Sequence, residues 1–200
     1  MKILLCFINT LVMLLAPVMD ILAQGNISVQ HFPYIEQLPS NTVKRIFQDS
    51  DGYIWFGTFD GLCRYDGYKV TTFRSSTNNP NLLTDNDINQ IAEDKNNQLW
   101  IGTNSGINIL NKKNYQIHRL DNELIRNRNI KCIKVSSDGY IWVGVNNYLL
   151  CFNPDHTLRK KYDKQLLSEG DINSVFEDSD ANIWVTAWNH GLFRLDKDSD

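Results

Sequence analysis

Apolar and polar positions along this chain repeat with a long period. Four tryptophans, Trp55, Trp100, Trp142 and Trp184, lie 45, 42 and 42 residues apart, and each follows a β-branched residue by twelve positions: Val43, Ile88, Ile130 and Ile172. The copies read VKRIFQDSDGYIWFGTFDGLCRYDG, INQIAEDKNNQLWIGTNSGINILNK, IKCIKVSSDGYIWVGVNNYLLCFNP and INSVFEDSDANIWVTAWNHGLFRLDK. Each copy holds three short runs rich in β-branched and aromatic residues, which predict three strands. The segments KVTTF, YQIHRL and TLRKKY between copies alternate apolar and polar, as a half-exposed fourth strand would.

The second strand of each copy breaks this alternation, with Ile54, Trp55 and Phe56 consecutive in the first. Such a run implies burial on both faces of the sheet. A blade held between two other blades has that environment, whereas a strand in a two-layer sandwich buries one face. A period of 40 to 45 residues around a central tryptophan matches the unit of a four-stranded propeller blade. The expectation is an all-β fold, a β-propeller with four-stranded antiparallel blades at about 43–74, 88–120, 130–162 and 172–200, the last incomplete. Gly57, Gly102 and Gly144 follow their tryptophans by two and mark a crowded strand where a side chain would clash, with Thr186 as the small substitute. The fragment ISVQHF, Ile27 to Phe32, matches the fourth-strand pattern and is expected to act as a closing strand. It would complete either a compact ring of four blades or, as we expect, part of a longer propeller of which these blades are an open arc.

The first residues differ in kind. Lys2 precedes an almost unbroken apolar run from Ile3 to Met19, the pattern of a signal peptide over residues 1–23. Cleavage after Ala23 fits, although Ile21 is bulky for its place, which leaves an uncleaved anchor open. Residues 24–200 then form the exported propeller. Cys63, Cys132 and Cys151 have no framework spacing and read as packed thiols. A net charge of -3 and a pI near 5.8 give no basic footprint for nucleic acid. The one basic cluster, Arg159 to Lys161, falls on an expected edge strand.

Candidate chemistry is sparse. Asp49, Asp51 and Gly52 fit a hairpin turn, and the second copy has KNNQ there, which speaks against a calcium loop. His31, His118, His156 and His190 are scattered, and Asp85 and Asp87 sit in a turn before a strand. We therefore assign no catalytic residue, no metal and no cofactor. What varies is the loop between second and third strands: FDG, NSG, NNY and WNHG. Phe59, Asp60, Asn104, Asn146, Asn147, Trp188, Asn189 and His190 are the candidate ligand-binding residues, because aromatic faces beside amides suit the C–H surfaces and hydroxyls of sugar rings. Trp188 has the alternative role of a lid on its own blade.

With QDSDGYIWFGTFDGLCRYDG and EDKNNQLWIGTNSGINIL laid out, the repeat resembles the two-component regulator propeller repeat, whose consensus runs close to I..I.eD..G.iWiGT..GGl.r.d. The resemblance covers about Ile27 to Asp200. It implies the N-terminal periplasmic sensor region of a hybrid two-component histidine kinase and response regulator, detecting an oligosaccharide or other small ligand. The rest of that sensor protein and a homodimer partner are implied with it. Membrane contact would come only through a later helix or an uncleaved N-terminus. Two departures stand out: Val145-Asn146-Asn147-Tyr148 in copy three and Thr186-Ala187 in copy four. A secreted enzyme acting on glycans, with Asp60 as its loop acid, and a protein-interaction scaffold remain the alternatives.

Overall fold

The computed structural model describes residues 28–76, 79, 81–163 and 170–195. Residues 1–23, read above as a signal peptide, lie outside the described residues. From Tyr34 onward the chain is one unit, built of four antiparallel sheets in sequence order. Blade one holds β1 (Val43–Gln48), β2 (Ile54–Thr58), β3 (Gly61–Tyr65) and β4 (Val70–Phe73). Blade two holds β5 (Ile88–Glu93), β6 (Gln98–Thr103), β7 (Gly106–Asn111) and β8 (Ile117–Arg119). Blade three holds β9 (Ile130–Val135), β10 (Ile141–Val145), β11 (Tyr148–Phe152) and β12 (Leu158–Tyr162). Blade four has three strands, β13 (Ile172–Glu177), β14 (Ile183–Ala187) and β15 (Gly191–Leu195). The strands fall where the periodicity places them, in an open arc of blades.

The expected closing strand over 27–32 begins outside the described residues, at Ile27. Residues 28–32 form no strand, and Val29 is 91% exposed. No described helix is long and apolar enough to cross a membrane.

Burial follows neighbours. The second strands of blades one to three are buried on both faces, whereas β14 alternates buried and half-buried. Trp55 and Trp100 are fully buried and Trp142 nearly so. Each of these tryptophans packs against the first strand of the next blade: Trp55 with Ile88 and Ile91, Trp142 with Ile172 and Val175.

Those apolar pairs are three residues apart, a spacing that puts side chains on opposite faces of a regular strand. A β-bulge resolves the conflict. In every blade the pairing slips between the first and third residues of the first strand, so that Lys44, Asn89, Lys131 and Asn173 have no partner across the ladder. The slip lets Ile88 and Ile91 both face blade one, while Gln90 turns the other way and donates to the Lys131 carbonyl at 2.7 Å.

The conserved spacing of glycine and isoleucine is one contact seen from two sides. A Cβ on Gly57 would lie 2.9 Å from Ile88 Cγ2, on Gly102 2.8 Å from Ile130 Cγ2, and on Gly144 2.8 Å from Ile172 Cγ2 and 2.5 Å from Cys132 Sγ. Gly144→Ala is expected to lower stability by about 1–3 kcal/mol through overpacking, measured by urea unfolding. Ile172→Ala, which removes the Cγ2 methyl, should cost less in the Gly144→Ala background than in the parent chain, and strictly additive effects of the two changes would refute the contact.

The DSDG-type turns carry a second inter-blade device. Asp49 Oδ1 accepts the backbone N–H of Asp51 and Tyr53, while its Oδ2 accepts the Trp55 indole N–H at 2.8 Å. Asp94 does the same for Trp100 at 2.9 Å, and Asp178 for Trp184 at 2.7 Å. Copy three has Ser136 at this place, and its hydroxyl donates to Asp138 and the Tyr140 carbonyl, leaving the buried Trp142 Nε1 without a partner. The next blade then supplies a nitrogen donor. Lys112, 4% exposed at its side chain, sits 3.8 Å from Asp49, 2.9 Å from Asp51 and 2.5 Å from Glu93. His156 Nε2 lies 3.0 Å from Asp94 Oδ2, with its ring edge-on to Trp100.

Candidate functional site

The bulge that orders the core also builds the site. A bulged residue leaves the ladder and its side chain is re-aimed, so Lys44 and Asn89 meet near the start of their strands, at the end where the second-to-third-strand loops lie. Lys44 Nζ donates to Asp87 Oδ1 at 2.5 Å and also to Asn89 Oδ1. Asn104 Nδ2 donates to Asp87 Oδ2 at 2.7 Å, and Asn89 Nδ2 donates to Asn104 Oδ1 at 2.9 Å. The four side chains thus close a hydrogen-bonded cycle across blades one and two. Asn89 extends it to Asn129 at 3.0 Å, and Arg45 Nε donates to the Asn89 carbonyl at 2.9 Å. Phe59 completes one flank, half exposed, with the Lys44 ammonium 4.7 Å from its ring centre.

Lys44, Arg45, Asp87, Asn89, Asn104 and Asn129, with Gln90, Ile130 and Lys131, line an open groove of about 630 Å³. Its wall presents donors and acceptors already held by one another, so little ordering remains when a polar ligand arrives. A lysine–carboxylate pair embedded among three amides offers both hydrogen-bond signs within one patch. Among the described residues no cluster of three or more His, Cys, Asp or Glu has a metal-binding arrangement. Cys63, Cys132 and Cys151 are buried and free, as packed thiols. Burial pushes Cys132 up to about 12 and Cys151 to about 11, far from a reactive thiolate.

The eight loop candidates divide. Asn104 lines the groove, and Phe59 stands beside it under the Lys44 ammonium. Asp60 turns toward the connection between blades, accepting from Arg74 at 2.7 Å and from Asn86 at 3.1 Å. Asn146 gives its carbonyl to the Ile172 N–H at 2.6 Å, and Trp188 gives its N–H to the Asp171 carbonyl at 2.8 Å. Asn146, Asn147, Trp188, Asn189 and His190 do not line the groove. Trp188 is 64% exposed.

Sequence reasoning missed Lys44, Arg45, Asn89 and Asn129, and placed Asp87 only in a turn. A signal was present: the second residue of every first strand is polar, Lys44, Asn89, Lys131 and Asn173.

Comparison with known proteins agrees with this architecture. The family model described as two component regulator propeller matches residues 37–60 and 82–105. Each match runs from before the first strand into the second-to-third-strand loop. No curated protein matches the chain. Among solved structures, it is similar to the extracellular domain of a protein described as a hybrid two component system, BT3049 of B. thetaiotaomicron, with TM-score 0.71 and 25% identity over 87% of this chain and 24% of that one. The extracellular domain of BT4673 from the same organism gives TM-score 0.64 and 26% identity over 78% and 21%. Virginiamycin B lyase from Staphylococcus aureus, at 14% identity, TM-score 0.63, and 86% and 60% coverage, shares the fold. The chain spans less than a quarter of the length of the two extracellular domains. With four blades in tandem, an aspartate-led turn bonded to each repeat indole except the third, and two segments matching the family model, residues 37–60 and 82–105 of this chain are similar to the two-component regulator propeller repeat.

Proposed function

We propose that this chain is the ligand-recognition part of an extracytoplasmic sensor, binding an oligosaccharide and regulating a histidine kinase carried elsewhere in the full protein. The observation that supports it most is the Lys44, Asp87, Asn89 and Asn104 cycle beside the exposed Phe59 ring. Sugar hydroxyls need donors and acceptors in alternation, and a ring face needs an aromatic surface. Similarity to extracellular domains of two-component proteins from B. thetaiotaomicron supports a periplasmic location and a sensing role without turnover.

The test is calorimetric titration of the purified chain against a panel of soluble oligosaccharides, with chromatography of the recovered sugar. We expect one class of sugar to bind and return unchanged, and the pair Phe59→Ala with Asn104→Ala to weaken binding about tenfold or more. Binding indifferent to that pair would remove the groove as the site. Shortened sugar, with shortening abolished by Asp60→Asn, would make the domain an enzyme. Absence of any binder across the panel would end the oligosaccharide reading.

A further inference from the structure

Blade two carries a second cavity, of about 580 Å³, whose lining includes Thr84, Ser105, His118, Arg119, Arg126 and Asn127. It shares no residue with the groove. A neighbouring hollow shares Asn81 and His118 and continues along β8 to Tyr115. The walls are the connections on either side of blade two, and the one after it is pinned in place. Ile125 is fully buried, and Asn122 accepts the backbone N–H groups of Leu124, Ile125 and Arg126. A Cβ on Gly106 would lie 3.3 Å from the Ile125 carbonyl, so this connection rests directly on the start of β7. Little ordering is left for a ligand to impose.

Behind Thr84 lies a buried amide that the flanking blades lack. Asn108 stands where blade one has Cys63 and blade three has Leu150. It is fully buried; its Oδ1 accepts the Thr84 N–H at 2.9 Å and the Thr84 hydroxyl at 2.8 Å, while its Nδ2 has no partner among the described residues. Asn108 sits directly opposite Arg119 across β7 and β8, which puts both side chains on one face. An amide donor buried without an acceptor is costly, and this one faces the side where the cavity opens.

Charge points the same way. The chain carries a net charge of -3, yet the cavity gathers Arg119 and Arg126 against one acid, Asp121, which pairs with Arg126. Arg119 makes no ion pair or hydrogen bond through its side chain among the described residues. Burial and the neighbouring His156 hold the His118 imidazole below its ordinary value, so it is neutral near pH 7.

We propose that this cavity binds the oxyanion end of a small polar ligand, a carboxylate or a phosphate, on the Arg119 and Arg126 guanidiniums, with the rest of the ligand lying along β8 toward Tyr115. A guanidinium presents paired N–H donors that match either oxyanion. The Ser105 hydroxyl already donates to Asp85 at 2.9 Å and the Thr84 hydroxyl to Asn108, so the arginines supply the new bonds. The inference is independent of what the groove binds.

The test follows the His118 imidazole by NMR in the purified chain, at matched ionic strength, with inorganic phosphate, with succinate and with its neutral counterpart succinamide. His118 responds to His156 and to Arg119, Arg126 and Asp121 around the same cavity. An anion seated on the arginines favours the imidazolium, so phosphate or succinate should move the His118 midpoint upward and succinamide should not. Arg119→Gln should weaken the binding about tenfold or more, and Arg119→Lys, which keeps the charge and loses the fork, should recover part of it. A response to one of the two anions alone supports the site with that oxyanion. No shift with either, or an equal shift with succinamide, would overturn the proposal. Binding that survives Arg119→Gln and is lost with Arg45→Gln and Lys131→Gln would assign the anion to the groove and overturn it as well.

Discussion

Trp100→Ala is expected to lower the unfolding free energy by about 3–5 kcal/mol, read from urea midpoints at constant slope. Trp100 is fully buried, packs between the isoleucines and valines of blades two and three, and stacks near Phe152 and His156. Domains are stable by only about 5–15 kcal/mol, so the loss would bring the arc close to its unfolding threshold. The same change at Trp184 should cost less than half as much, because the last indole is half-buried and no blade among the described residues covers it. Equal losses at the two positions would mean that the tryptophans stabilise their own blades and not the joints between them.

Asp94→Ala should rival that effect, at roughly 3–5 kcal/mol. One carboxylate, 1% exposed at its side chain, satisfies the Trp100 indole, the backbone N–H groups of Asn96 and Gln98, and His156 of the next blade. Its removal orphans several buried donors at once. Acid should expose the same dependence. Burial pushes the Asp94 carboxyl up, and the bonds from His156, Trp100, Gln98 and Asn96 outweigh it, leaving it below its ordinary 3.8. A carboxyl lowered in the folded state stabilises fully above its unfolded value, near 4, and loses that contribution as pH falls through the folded value. The parent chain should therefore lose stability on acidification below about pH 4 more steeply than Asp94→Ala. Parallel pH profiles would show that the carboxylate does not link the blades.

Much of this was legible in the residues. The strand positions follow from runs such as IWFGT and LLCF, and the turns from Asp-Gly pairs, because propensity and alternation act locally. Two-face burial was readable from Ile54, Trp55 and Phe56 in succession. The closing strand expected over 27–32 shows the limit of that signal: alternation describes what a strand can offer a sheet, and gives no information on whether a sheet edge is there. The candidate site was half legible. Loop composition pointed to Phe59 and Asn104, but sequence proximity grouped them with Asp60 and Asn146, whose polar groups serve the connections between blades.

By itself, then, the sequence determined the repeat, the strands, the glycine and isoleucine positions and the turn aspartates, since each is a local preference repeated in three or four copies. Tertiary structure decided how those signals combine. The bulge at the start of each first strand, the meeting of Gly57 with Ile88, the reach of Lys112 and His156 into the preceding blade, and the joining of Lys44 to Asp87 and Asn89 and of Asp87 to Asn104 all link residues 12 or more positions apart. Such contacts depend on the angle and spacing of packed blades, which no local pattern encodes.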